Sequence, residues 1–132
     1  MIILSGEQSD GAVIMDQYKR LGWGRMFVTR TPTPYDGEPW GFDNGAFWAW
    51  LHNRPFPSYE FESRLARACL LRPHLAVLPD IVSGGVRSLE FSLGWLEKVP
   101  PEWPWYLAVQ DGMGIEDVEP VIPMVDGIFL GG

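Results

Sequence analysis

The sequence predicts an α/β fold of parallel βα units that form a partial or truncated TIM-type barrel. Two observations lead there. Short apolar runs without polar alternation, as in strands covered on both faces, are separated by stretches with helical spacing. Four segments then end in a polar or glycine tip: Gly41-Phe42-Asp43-Asn44-Gly45, Leu78-Pro79-Asp80, Ala108-Val109-Gln110-Asp111-Gly112 and Ile128-Phe129-Leu130-Gly131-Gly132. Polar groups at the C-terminal ends of parallel strands form one rim, which is where such folds hold their ligands.

Each element has its own signal. Ile2-Ile3-Leu4 reads as a short buried strand, and Ser9-Asp10 as the cap of a helix carrying Val13, Ile14, Tyr18 and Leu21 on one face. Gly22 and Gly24 end that helix, and Met26-Phe27-Val28 is the second strand. A proline-rich loop from Thr31 to Pro39 leads to the third strand, Trp40 to Phe42, and the aromatic segment Phe47-Trp48-Ala49-Trp50 follows. Ser58 is placed to cap a helix reaching about Leu71, which Arg72-Pro73 stops. Leu75 to Leu78 is the fourth strand. The next helix puts Val86, Leu89, Leu93 and Leu96 on one face and ends at Pro100-Pro101. Tyr106 to Val109 is the fifth strand, Ile115 to Val125 an irregular helix broken by Pro120 and Pro123, and Ile128 to Leu130 the last strand.

The 132 residues read as one domain, 1–132. A closed eight-stranded barrel typically takes about 250. Three architectures therefore fit: a barrel fragment, a partial barrel completed by another chain or a second copy, and a small open α/β sheet. The first two leave strand edges and an apolar interior for a partner to cover.

Composition narrows the class. Apolar residues are 46% and charged residues 20% of the chain, as in ordinary globular proteins. No apolar run approaches the roughly 20 residues of a membrane span, and no basic stretch precedes an apolar one at the N-terminus, so no membrane partner and a cytoplasmic location are expected. Cys69, the one cysteine, is expected to be a small buried hydrophobe. With no Cys/His cluster, neither a metal nor another cofactor is expected. The net charge of −7 argues against a chain-wide nucleic-acid footprint, and Arg64, Arg67 and Arg72 read as a solvated helix face. His52 and His74 have no partner at a triad or metal spacing, His74 standing at the buried N-terminal side of a strand.

On the rim, Asp43 is presented by the turn at Asn44-Gly45, and Asp80 stands beside Ser83-Gly84-Gly85. Gln110 and Asp111 end the fifth strand, and Gly131-Gly132 offers bare backbone N–H groups. In this order the four segments resemble those of the tRNA-guanine transglycosylase superfamily, from about Trp40 to the C-terminus. The nearest likeness is to its short members that place 7-deazaguanines in DNA.

The resemblance implies a base-exchanging glycosyltransferase that replaces guanine by a 7-deazaguanine in DNA or tRNA, or the base-binding part of one. It makes Asp43 the acid/base. Asp80 would accept from the N1–H and exocyclic amine of the base, Gln110 would read the O6 region, and Gly131 and Gly132 would touch the base through their backbone. Phe47, Trp48 and Trp50 either fill the core or stack on an extruded base, and Phe47 is the stacking candidate nearest Asp43. The expected pocket is walled by an aromatic or by Met113. Two family features find no counterpart: the nucleophilic aspartate, which follows the Gly-Gly segment, and the zinc ligands beyond it. Two other readings stand beside the enzyme: a non-catalytic nucleobase-binding subunit or relic of the same fold, and an unrelated small α/β hydrolase using Asp43 and Asp80 as paired carboxylates.

Overall fold

The computed structural model of the chain describes residues 1–6 and 11–131. The proposed cap at Ser9-Asp10 and the terminal Gly132 lie outside them. Six parallel strands form one sheet in the order of the chain: β1 (Leu4–Ser5), β2 (Gly24–Phe27), β3 (Gly41–Phe42), β4 (Leu75–Val77), β5 (Trp105–Val109) and β6 (Gly127–Leu130). The sheet curls into a half-barrel. Four of the five connections run through helical segments, while β2 passes to β3 through the proline-rich loop 28–40. The helical segments are α1 (Ala12–Leu21), α2 (Ala46–Leu51), α3 (Ser58–Ala68), α4 (Val86–Leu96) and α5 (Ile115–Val118), the last continued by a 3₁₀ turn at Glu119–Met124 that contains Pro120 and Pro123.

Side chains alternate across each strand. Phe42, Ala76, Leu78 and Trp105 join Phe61, Leu65 and Ala68 of α3 and Trp95 of α4 in the main core. Leu107 of β5 packs with Leu89 and Val121 in a second cluster. The main core is largely aromatic. Phe42, Phe61, Trp95, Trp103 and Trp105 meet mostly edge to face, while Trp103 and Trp105 stack at 5.8 Å.

Polar staples fix the frame. Arg25 and Glu38 are buried together, with Nη2 to Oε1 at 2.8 Å and Nε to Oε2 at 2.9 Å. The same carboxylate accepts the backbone N–H groups of Arg25 and Tyr35, so it ties the proline-rich loop to β2. Gly24 is required beside that loop, because a Cβ there would collide with the Pro39 carbonyl.

Several expectations are corrected. The first strand begins at Leu4, and Ile2 and Ile3 are exposed. In α1 only Tyr18 is buried, while Val13, Ile14 and Leu21 face outward. Ser58 caps nothing: it is the first residue of α3, behind Pro57. Cys69 is exposed, since the buried face of α3 runs through Phe61, Leu65 and Ala68 and has turned away by the next residue. His74 is exposed as well.

Arg64 is no part of a solvated face. It is 5% exposed and donates to the carbonyls of Phe27 (2.8 Å), Arg30 (2.9 Å) and Asp43 (3.0 Å), with its guanidinium over the Phe42 ring. Arg67 and Arg72 are exposed. Among the described residues no helix is long and apolar enough to cross a membrane.

Candidate functional site

The C-terminal ends of β3, β4, β5 and β6 surround one cavity of about 430 Å³, within the range of roughly 300–1,000 Å³ of small-molecule sites. Asp43, Phe47, Asp80, Gln110 and Gly131 all line it, over an apolar floor that includes Val77, Ala108 and Phe129. These are alternate residues of their strands, on the face opposite the main core.

Asp43 follows β3 directly, and its Oδ1 accepts the backbone N–H of Asn44 at 2.7 Å. Gly45 takes a φ of 80°, a left-handed conformation that glycine adopts at low cost, and so starts α2 at once. This tight exit buries Asn44, which is 3% exposed. Asn44 Nδ2 donates to Asp80 Oδ1 and to the Leu78 carbonyl, both at 2.7 Å, while its Oδ1 accepts the Ala46 N–H at 2.7 Å. One asparagine thus links the two aspartates: its backbone holds Asp43 and its side chain holds Asp80.

The second oxygen of Asp80 accepts Gln110 Nε2 at 3.1 Å. Gln110 is itself fixed. Its Oε1 accepts the Gly84 N–H at 3.1 Å, and Nε2 also donates to Ser88 Oγ at 3.0 Å. Ser88, fully buried on α4, accepts the Ile81 N–H as well, at 2.9 Å. Nearby, Ser92 donates to the Pro79 carbonyl at 2.7 Å. The loop carrying Asp80 is therefore held from α4 by two serines.

This geometry sets the chemistry. Gln110 has two N–H groups and both are engaged, so its amide presents no donor to a ligand. Asn44 is in the same state. The two amides and its own backbone N–H orient Asp80, whose carboxylate keeps acceptor capacity beyond those bonds. The polar wall thus offers acceptors. Burial pushes the Asp80 carboxyl up from its ordinary 3.8, against the opposing effect of the hydrogen bonds from Asn44 and Gln110.

Two expected roles are corrected: Gln110 has no free donor with which to read an O6 region, and Gly131 has no bare N–H. Gly131 lines the cavity, but its N–H is donated to the Val109 carbonyl at 2.9 Å and is not bare. Met113 is no part of the wall. It packs against the Leu89–Leu107–Val121 cluster, because the turn after Asp111-Gly112 carries the chain outward. The aromatic wall is Phe47 and Phe129. The core does not absorb the segment around Phe47, since Phe47, Trp48 and Trp50 are all substantially exposed.

On the other side of Asn44 and Gly45 lies a larger cavity of about 540 Å³, lined in part by Trp48, Arg54, Phe56, Tyr59 and Arg64. The facing carboxylates belong to the smaller one. Among the described residues no three of histidine, cysteine, aspartate and glutamate come together as metal ligands. Sequence reasoning missed Ser88 and left Asn44 without a role. Its place directly after the strand-end Asp43 and before a turn glycine was the one available signal.

Compared with models of protein families, with curated proteins and with solved structures, the chain matches none.

Proposed function

We propose that this protein binds a guanine-type base at Asp80, as a base-exchanging glycosyltransferase of the transglycosylase kind or as its base-binding part. The observation that carries the reading is the Asp80 carboxylate, held by two amides at the edge of a cavity roomy enough for a purine, with acceptor character. A guanine edge, with N1–H beside an exocyclic amine, is the complementary pattern of donors. Phe47 and Phe129 supply apolar walls for the ring, and Asp43 stands on the same rim as the candidate acid/base. The half-barrel with its site on the C-terminal rim agrees with a partial TIM-type architecture, and a partner chain or second copy would cover the outer edges of β1 and β6.

A specific observation favours the binding reading for the chain by itself. Among the described residues the aspartates lining the cavity are Asp43 and Asp80, and this reading uses both, as acid/base and as base acceptor, with no third to attack a sugar carbon. The paired-carboxylate hydrolase has less support, because Asn44 stands between the two aspartates as the bridging group.

Calorimetry with guanine, 7-deazaguanine and adenine tests the reading. Guanine and its 7-deaza analogue are expected to bind and adenine to bind far more weakly, because adenine puts an acceptor where guanine has N1–H. Asp80→Asn should lower guanine affinity about tenfold or more, since an amide donor replaces one acceptor. Asp43→Asn should leave affinity near that of the parent chain. Equal binding of guanine and adenine, or no effect of Asp80→Asn, would refute the assignment.

A further inference from the structure

Helix α2 carries an aromatic surface that the core leaves outside. Phe47, Trp48 and Trp50 are 58%, 40% and 49% exposed. Their rings are nonetheless ordered against one another. Phe47 and Trp50 stack at 5.7 Å with 27° between planes, and Trp48 lies 4.3 Å from the His52 ring at 32°. The Arg54 guanidinium sits 5.5 Å over the Trp48 ring.

This surface is continuous with both cavities. Phe47 is a wall of the Asp80 cavity, while Trp48 and Arg54 line the larger one across Asn44. From the mouth of the base site, flat ring faces therefore continue outward through Phe47 to Trp50.

Charge points to the kind of occupant. The chain has 17 acidic residues and a net charge of −7, yet none of the acidic residues falls between Phe47 and Pro57, where Arg54 and His52 do. Arg54 and Glu60 line the larger cavity, while Arg64 beside them is buried and turned to three backbone carbonyls. A segment without acidic residues that presents π faces, with a cation over one of them, matches the two needs of an unpaired polynucleotide: planar bases to stack and phosphates to accompany.

We propose that α2 is a stacking platform for unpaired nucleotides flanking the base held at Asp80, so that the substrate is engaged as a single strand or open loop rather than as a closed duplex. This rests on the purine reading of the Asp80 cavity. Stacking on Trp50 and Trp48 replaces the stacking that flanking bases lose when the central base leaves its neighbours. A closed duplex keeps its base faces covered and presents none to the platform.

The test uses the full chain and a fluorescein-labelled 12-nucleotide DNA with one central guanine, as a single strand and as a blunt duplex, with anisotropy as readout. The single strand is expected to bind at least tenfold more tightly than the duplex. Trp50→Ala and Trp48→Ala should each weaken single-strand binding about five- to hundredfold, the range set by stacking of one base on an aromatic ring. Both side chains lie outside the core, so thermal melting should match that of the parent chain.

Duplex binding as tight as single-strand binding, or tryptophan variants with unchanged affinity, overturns the proposal. So does a concentration-dependent dimer that the tryptophan changes abolish, which would give the surface to a second copy. Guanine binding without tryptophan-dependent DNA binding removes the platform and leaves the base site standing. Tryptophan-dependent single-strand binding without guanine binding supports the platform and removes the base site.

Discussion

Replacing Ser88 with alanine takes one oxygen from the buried face of α4 and leaves two donors facing it, the Ile81 N–H and one hydrogen of Gln110 Nε2. A buried donor left without an acceptor costs about 1–3 kcal/mol. Ser88 is fully buried, but Ile81 is exposed and Gln110 half-buried, so water reaches part of the gap and the lower half of that range applies to each. The expected loss of stability is about 2–4 kcal/mol, read by guanidinium denaturation with an unchanged slope. Binding should respond too. Without Ser88, Gln110 keeps one anchor for its amide oxygen and one bond to Asp80, and it swings more freely, so guanine affinity should fall about three- to tenfold, roughly the worth of one hydrogen bond. Ser88→Cys keeps most of the volume but accepts poorly, so matching alanine in both assays would assign the effect to hydrogen bonding rather than to a void. A stability loss under about 0.5 kcal/mol, or a destabilised variant with full guanine affinity, would refute the idea that Ser88 acts on the site through Gln110 and Asp80.

Two further outcomes follow from the same structure. Burial raises the Asp80 carboxyl above 3.8, so guanine affinity should fall as pH drops through that raised value, while the contribution of this group to stability rises in the same direction, because the folded chain holds the proton more tightly than the unfolded one. Parallel calorimetry and denaturation series check both slopes, and Asp80→Asn should flatten them. Glu38→Ala should destabilise the chain by about 3–5 kcal/mol, since it leaves the Arg25 guanidinium, 2% exposed, without its carboxylate partner and releases the loop before β3. A loss below about 1 kcal/mol by denaturation would count against that account.

The sequence carried the strand order and the rim because both depend on local pattern. Most strands are short apolar runs, β2 with its buried Arg25 being the exception, and each rim group is the next polar residue after such a run. What stayed hidden depends on contacts between distant segments. Ser88 and Ser92 lie on the buried face of α4 beside Leu89 and Trp95, where helical spacing marks only the apolar members. Arg64 looked like its solvated neighbours Arg67 and Arg72, because nothing local says that the carbonyls of Phe27, Arg30 and Asp43 converge on it. The aromatic run after Gly45 has the composition of core, and only the fold shows it facing outward beside the cavity. Gln110 was given a donor's role on grounds of residue type, whereas Gly84, Ser88 and Asp80 had already fixed which way its amide points.

The nearest-neighbour order of the six strands also gives the site a history within each molecule. Synthesis delivers the strands in the order in which they stand in the sheet, since each strand's neighbour is the one made just before it. Asn44 and Asp43 are in place before Asp80 exists to meet them. The Asp80 loop then waits for α4 to bring Ser88 and for β5 to bring Gln110, some thirty residues later. During that interval a buried carboxylate has one amide partner instead of two. A chain cut after β4 would therefore lack Gln110, and one cut after β5 would lack the cavity wall that Phe129 and Leu130 provide.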